Sequence, residues 1–123
     1  IDQPDTDFSV SVSEIRADGS SIPLAIDAMR ARYRQGARSP QLVASRDPQL
    51  YEFKSFTFMS REIKAGSRLR LMIGPVQSIY AEKNYNSGGV VAEETLKDAR
   101  AVTVRLLHDG MHPSALYLPI AAK

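Results

Sequence analysis

The sequence contains no cysteine. Disulfides, thiolate zinc sites and cysteine nucleophiles are therefore excluded. The compartment stays open, because reducing interiors and many secreted bacterial domains share this lack, and a secreted or periplasmic bacterial parent is compatible with it. No apolar run approaches the roughly 20 residues that span a bilayer, so no membrane partner is expected. No signal-peptide pattern is visible either. Glycine is sparse, at 7 residues, and no glycine-rich phosphate cradle appears, so a nucleotide site is not supported. Charge of one sign is not concentrated. The net charge is +2, and the densest basic set, Arg30, Arg32 and Arg34, alternates along an expected strand and reads as one solvated face. Phosphate binding favours a basic face with stacking aromatics, so nucleic acid is not an expected partner. Only two histidines occur, His108 and His112.

What is present is an ordinary globular balance, 43% hydrophobic and 24% charged over 123 residues. That length suits one domain, residues 1–123, able to bury roughly two-thirds of the surface exposed by its unfolded chain. The opening "IDQPDTDF" lacks an initiator methionine and reads as the start of a piece of something longer.

Period-two alternation dominates. In "DFSVSVSEI", Phe8, Val10 and Val12 point one way and Ser9, Ser11 and Ser13 the other, as in a half-buried strand. Asp18-Gly19 marks a turn, because glycine accepts positive φ. An extended segment resumes at Ile22–Leu24, and "AMRARYR" alternates again. "YEFKSFTF" is aromatic-rich and β-prone, with a change of phase that a bulge near Lys54-Ser55 would repair. A turn at Ala65-Gly66 leads to a strand with Leu69, Leu71 and Ile73 inward. Val102, Val104 and Leu106 predict another strand, and Leu116, Leu118 and Ile120 a last one. Glu93–Arg100 could form one or two helical turns. Seven or so short strands with hardly any helix predict an all-β antiparallel sandwich. Pattern alone does not separate jelly-roll from immunoglobulin-like topology.

Candidate chemistry is thin. "HDGMHPS" places His108, Asp109, His112 and Ser114 together. No Gly-x-Ser-x-Gly elbow exists. The i, i+4 histidines would share a face on a helix, but Gly110 and Pro113 break any helix there, and zinc would need further ligands. The expected reading is a strand end at His108, a turn at Asp109-Gly110 and a restart at Pro113, with no catalytic, cofactor-binding or metal residues. Asp5 and Asp7 could form a calcium corner; a strand entry in which an aspartate accepts backbone amides is favoured. The long Pro75–Arg100 segment should cover or contact something. Within it Tyr80, Asn84, Tyr85, Asn86, Gly88 and Gly89 form a candidate interface or ligand loop: aromatic platforms and amides suit sugars, and tyrosine is equally at home against a protein partner.

Several short stretches recur in one order: "PDTDF", "RARYR", "YEF", "IKAGSRLRLMI", "NYNSGG" and "VRLLHDGMHPSALYLPI". From Asp5 to Ile120 the chain resembles the C-terminal domain of the X-Pro dipeptidyl-peptidase, cocaine esterase and α-amino acid ester hydrolase family. The resemblance implies a jelly-roll β-sandwich of the galactose-binding-domain-like type. It also implies a Ser-His-Asp triad in an upstream α/β-hydrolase catalytic domain on which the sandwich packs. No triad residue carries over to this chain, and His108 and Ser114 match a structural signature. The parent would be a serine hydrolase; this chain alone would not be an enzyme, and no cofactor is implied. A carbohydrate-binding module is the alternative. Two departures stand out. "GPVQSIY" replaces a Ser-rich stretch with Phe-Pro, so the contact made by that loop should differ. Only Ile1–Pro4 precede the "DTDF" motif, so the sandwich should lack its first strands, expose an edge beside Phe8–Val12, and form a homodimer or strand swap in isolation.

Overall fold

A computed structural model describes residues 1–121. Its centre is a three-stranded antiparallel sheet of β1 (Asp7–Ile15), β2 (Ser21–Arg30) and β3 (Arg68–Pro75), in the order β2-β1-β3. Among the described residues the helical elements are three single 3-10 turns: Ala31–Tyr33, Val91–Glu93 and Leu96–Asp98. The strand content and the near absence of helix are compatible with an all-β domain.

β1 and β2 form a hairpin whose turn follows from its residues. Gly19 sits at φ 85°. Arg16 N donates to Ser20 O at 2.9 Å, and Asp18 Oδ1 accepts from Ser20 N at 2.8 Å. That is the local bonding that makes aspartate a turn residue. The register pairs Asp7 with Arg30 and Val12 with Ala25, then shifts between Val12 and Ser13, leaving Leu24 as the extra residue beside Pro23. Proline has no N–H for a ladder, so a bulge here is expected.

The alternation in β1 is realised: Phe8, Val10 and Val12 are buried. Phe8 packs with Ala31 and Val43, and Ile1, Tyr51 and Phe53 close around them. The Phe8 and Tyr51 rings meet edge to face, centroids 5.1 Å apart. On β3, Leu69, Leu71 and Ile73 lie opposite Glu14, Val12 and Val10, on the expected face. They remain 40–42% exposed, so nothing in the described chain seals that part of the face.

Three expectations need correction. β1 is not an edge: it is flanked on both sides, and the outer strands are β2, which residues 55–57 partly cover, and β3. The alternating "RARYR" does not continue the strand, because β2 ends at Arg30 and Ala31–Tyr33 turns as 3-10 helix. Among the described residues three strands pair, not seven. "YEFKSFTF" runs beside β2 without a ladder, held by Thr57 N on Ile26 O at 3.1 Å and Ser55 N on Asp27 Oδ2 at 2.8 Å. The stretches around Val104 and Leu116–Ile120 carry no strand pairing and leave their apolar side chains partly or largely exposed. A period-two pattern reports a residue's affinity for a half-buried extended surface; it does not supply the neighbouring strand.

Candidate functional site

The densest polar cluster lies at the entry to β1. Asp5 is fully buried. Its Oδ1 accepts from Arg32 N at 2.9 Å and its Oδ2 from Arg32 Nε at 2.7 Å. Asp7 takes Arg30 Nε at 2.9 Å and Nη2 at 3.3 Å. The geometry follows from antiparallel pairing: the register that sets Asp7 opposite Arg30 brings Asp5, two residues earlier, beside Arg32, two residues later. Ala31 N continues the ladder to Thr6 O at 2.8 Å. Arg34 bonds Gln41 O at 2.6 Å and Gln49 Oε1 at 3.2 Å. The three arginines are therefore framework ties and not a solvated face. Asp5 behaves as the strand-entry reading expected, accepting a backbone amide, and guanidinium groups occupy the place a cation would take.

The "NYNSGG" loop closes over this cluster. Asn84 Nδ2 donates to Asp5 Oδ2 at 2.9 Å and to Asp7 Oδ1 at 2.8 Å. Arg32 Nη2 reaches Gly89 O at 2.8 Å. Asn86 stands at φ 66°, its amide N on Asn84 Oδ1 and its Nδ2 on Arg100 O, both at 2.8 Å. Tyr85 N donates to Glu94 Oε2 at 2.9 Å, and the Ser87 hydroxyl donates to the other Glu94 oxygen. Burial opposes ionisation of Glu94, but these donors outweigh it and hold its pKa below the ordinary value. Gly88, at φ 84°, lies so close to Pro4 that a Cβ would meet Pro4 Cγ at 3.0 Å. Asn84, Asn86 and Gly89 thus each hold a bond to the chain's own framework.

Tyr80 is a different case. It is 93% exposed beside the equally exposed Ile79. Ile79 and its neighbours border an open cleft of about 520 Å³, whose lining includes the apolar Pro75, Val76 and Val102 and the polar Asp7, Lys83 and Asn84. Tyr85 is shielded by Lys83, whose Nζ lies 5.2 Å from the ring centroid.

The histidine stretch forms a turn. Asp109 Oδ1 accepts from His112 N at 2.8 Å and Met111 N at 2.9 Å, which lowers the Asp109 pKa. His112 Nδ1 is 3.1 Å from the same oxygen. Ser114 Oγ donates back to Leu107 O at 2.6 Å, and so turns its proton away from either imidazole. A nucleophile needs its base within hydrogen-bond reach, and Ser114 has a carbonyl there instead. His108 is exposed. Among the described residues no three His, Asp or Glu side chains converge to hold a metal ion.

Two buried acids, Glu14 and Asp27, escaped the sequence reading. Glu14 sits on the apolar face of β1 and is fully buried. The Ser67 hydroxyl at 2.8 Å and Arg61 Nε at 2.9 Å hold its pKa below the ordinary value of 4.5. The signal was available: Glu14 continues the Phe8, Val10, Val12 phase, and a charge on a buried face requires a partner.

No family model matches the chain. It is 29% identical over 117 residues to cocaine esterase from Rhodococcus sp. (strain MB1 Bresler). The match takes in 94% of this chain and 20% of the esterase, so the chain spans about a fifth of the length of the curated relative it matches. The chain is therefore similar to a domain-sized stretch of an esterase.

Proposed function

We propose that this chain is a non-catalytic, C-terminal jelly-roll domain of a serine hydrolase of the X-Pro dipeptidyl-peptidase and cocaine esterase type, and that it packs on the catalytic domain of that hydrolase. The observation that carries the reading is the coverage: almost the whole chain aligns with only a fifth of an esterase. The "HDGMHPS" turn supports the non-catalytic part, since Ser114 donates to a carbonyl and not to a histidine. Docking falls to residues 76–83, exposed from Gln77 onward. Ile79 and Tyr80 offer the exposed aliphatic and aromatic anchors that interfaces favour, whereas residues 84–89 are held by the chain's own framework. Deleting Asn84–Gly89 should therefore unfold the entry to β1 and not merely weaken docking. The open edge of β3 and its half-exposed leucines suit pairing with further chain, from the same polypeptide or, in isolation, from a second copy.

Two experiments test this. The purified chain and its His108→Ala variant are assayed on a p-nitrophenyl ester and an X-Pro anilide; neither should turn over above background, and turnover lost in the variant would place a working site here. The parent's catalytic domain, supplied separately, should bind the chain, and Tyr80→Ala should weaken that binding without changing the fold seen by circular dichroism. Equal binding by wild type and variant would remove residues 76–83 from the interface.

A further inference from the structure

The tip of the 76–83 segment breaks a local rule. Ala81 N donates to Ser78 O at 3.4 Å, the i to i+3 bond of a β-turn, so Ile79 and Tyr80 are its central residues. Such positions favour glycine, proline, asparagine, aspartate or serine, each for a reason of backbone geometry or local bonding. Here a β-branched aliphatic and an aromatic residue stand there instead, 91% and 93% exposed. At that exposure neither contributes burial to the fold. Local preference that is broken without a structural return marks a functional site. The turn is built all the same: the Ser78 hydroxyl accepts from Tyr80 N at 3.1 Å, the side-chain bond by which serine sets a turn.

The base of the segment is also fixed. At one end Pro75 closes β3 opposite Phe8. At the other, Asn84 donates to Asp7 Oδ1 at 2.8 Å and to Asp5 Oδ2 at 2.9 Å. Both ends therefore meet neighbouring positions of β1. Between them, among the described residues, the hydrogen bonds of 76–83 are those internal to the tip. The open cleft of about 520 Å³ takes its lining from Ile79 and Ala81 together with Thr6 and Val102 of the body. We propose, in a step that rests on the docking role given above, that residues 76–83 are a pre-shaped finger. Its Ile79-Tyr80 tip inserts into a concave apolar pocket of the catalytic domain, and Ser78 is the positioning residue that sets the tip. A loop ordered before encounter avoids the ordering cost at binding. Two large side chains on adjacent turn corners form a convex wedge, whose area is desolvated best in a pocket. The Tyr80 hydroxyl requires a polar partner there.

The test joins a measurement on the free chain to one with the parent's catalytic domain. In the free chain, the Tyr80 amide should exchange with deuterated solvent more slowly than in an unstructured peptide. Ser78→Ala should bring it to the unstructured rate. An unprotected Tyr80 amide in the wild type would overturn the proposal whatever the partner does. Against the catalytic domain, Ser78→Ala should weaken binding about three- to tenfold, the scale of one neutral hydrogen bond. Ser78→Asn, whose side-chain oxygen can hold the same turn, should bind like the wild type. Equal weakening by Ser78→Asn would mean that the hydroxyl does not act through the turn, and would overturn its positioning role. Ile79→Asp should weaken binding at least about a hundredfold, since it would carry a charge into an apolar pocket. Ser78 and Ile79 are exposed, so these variants should fold. Weak binding by Tyr80→Ala, with Ser78→Ala and Ile79→Asp at wild-type affinity, would keep 76–83 at the interface and overturn the pre-shaped, inserted tip. No binding by the wild type would remove the docking role, and the finger with it.

Discussion

Two stretches of this chain each set an aspartate and a hydroxyl residue beside a proline and end up in opposite physical states. "PDTDF" meets two arginines and an asparagine at the entry to β1, where Asp5 is fully buried and its oxygens accept bonds from Arg32 and Asn84. "HDGMHPS" gathers two histidines, an aspartate and a serine, and remains a turn at the surface. By residue type alone, the histidine stretch is the stronger candidate for chemistry. The aspartate stretch is the more demanding structure, because a buried carboxylate without its partners costs several kcal/mol, whereas an exposed one costs nothing. Burial, and not residue type, separates the two.

The largest expected effect comes from breaking the buried side. Asp5→Ala leaves Arg32 and Asn84 without their shared acceptor and should destabilise the fold by about 3–5 kcal/mol, read from the urea midpoint. A loss under about 1 kcal/mol would mean that water replaces the carboxylate and that the two stretches are less different than their burial suggests. Gly88→Ala tests the loop that closes over the cluster. Its positive φ and the Pro4 ring both oppose a methyl group, and the expected loss is about 1–3 kcal/mol. Glu14 extends the comparison to pH. Its pKa is depressed in the fold, so its contribution is fully present above the ordinary value of 4.5 and disappears as the pH falls through its lower folded value. Stability should thus fall with acid through that window, and Glu14→Gln should flatten the curve there; an unchanged profile would clear Glu14. On the exposed side, Asp109→Ala should move the urea midpoint far less than Asp5→Ala, since it removes only a local turn bond. His108→Ala should fall within about 0.5 kcal/mol of wild type, as surface changes do.

Much of the sheet is legible in the sequence alone. β1 announces itself by Phe8, Val10 and Val12 against three serines, and the turns at Asp18-Gly19 and Ala65-Gly66 need a glycine that tolerates positive φ, at 85° and 86°. The inward face of β3 is equally legible, though not how open it is. Less legible is the pairing of charges. Asp5 and Asp7 share the spacing of Arg30 and Arg32, a hint that two antiparallel partners could zip their charges together, but the hint acquires force only once the hairpin register is known. The amide of Asn84 marks it as a ligand-binding side chain, yet its recipients are two aspartates nearly eighty positions away. Sequence spacing carries no record of such encounters, which exist only after the chain has closed. The unpaired 101–107 and 114–120 stretches show the complementary limit, since a strand pattern can be written in a sequence whose partner is not.

The position of β1 between its two neighbours also sets an order of assembly. β2 joins it through a tight turn, a local event on the microsecond scale of hairpins. β3 must return across the whole stretch from Ala31 to Ser67, so its pairing waits on the closure of a long loop. Substitutions in the hairpin should then act mainly on the folding rate. Substitutions in β3 should act mainly on the unfolding rate, so that the half-covered leucines of the open edge govern how long the assembled sheet survives and not how fast it appears.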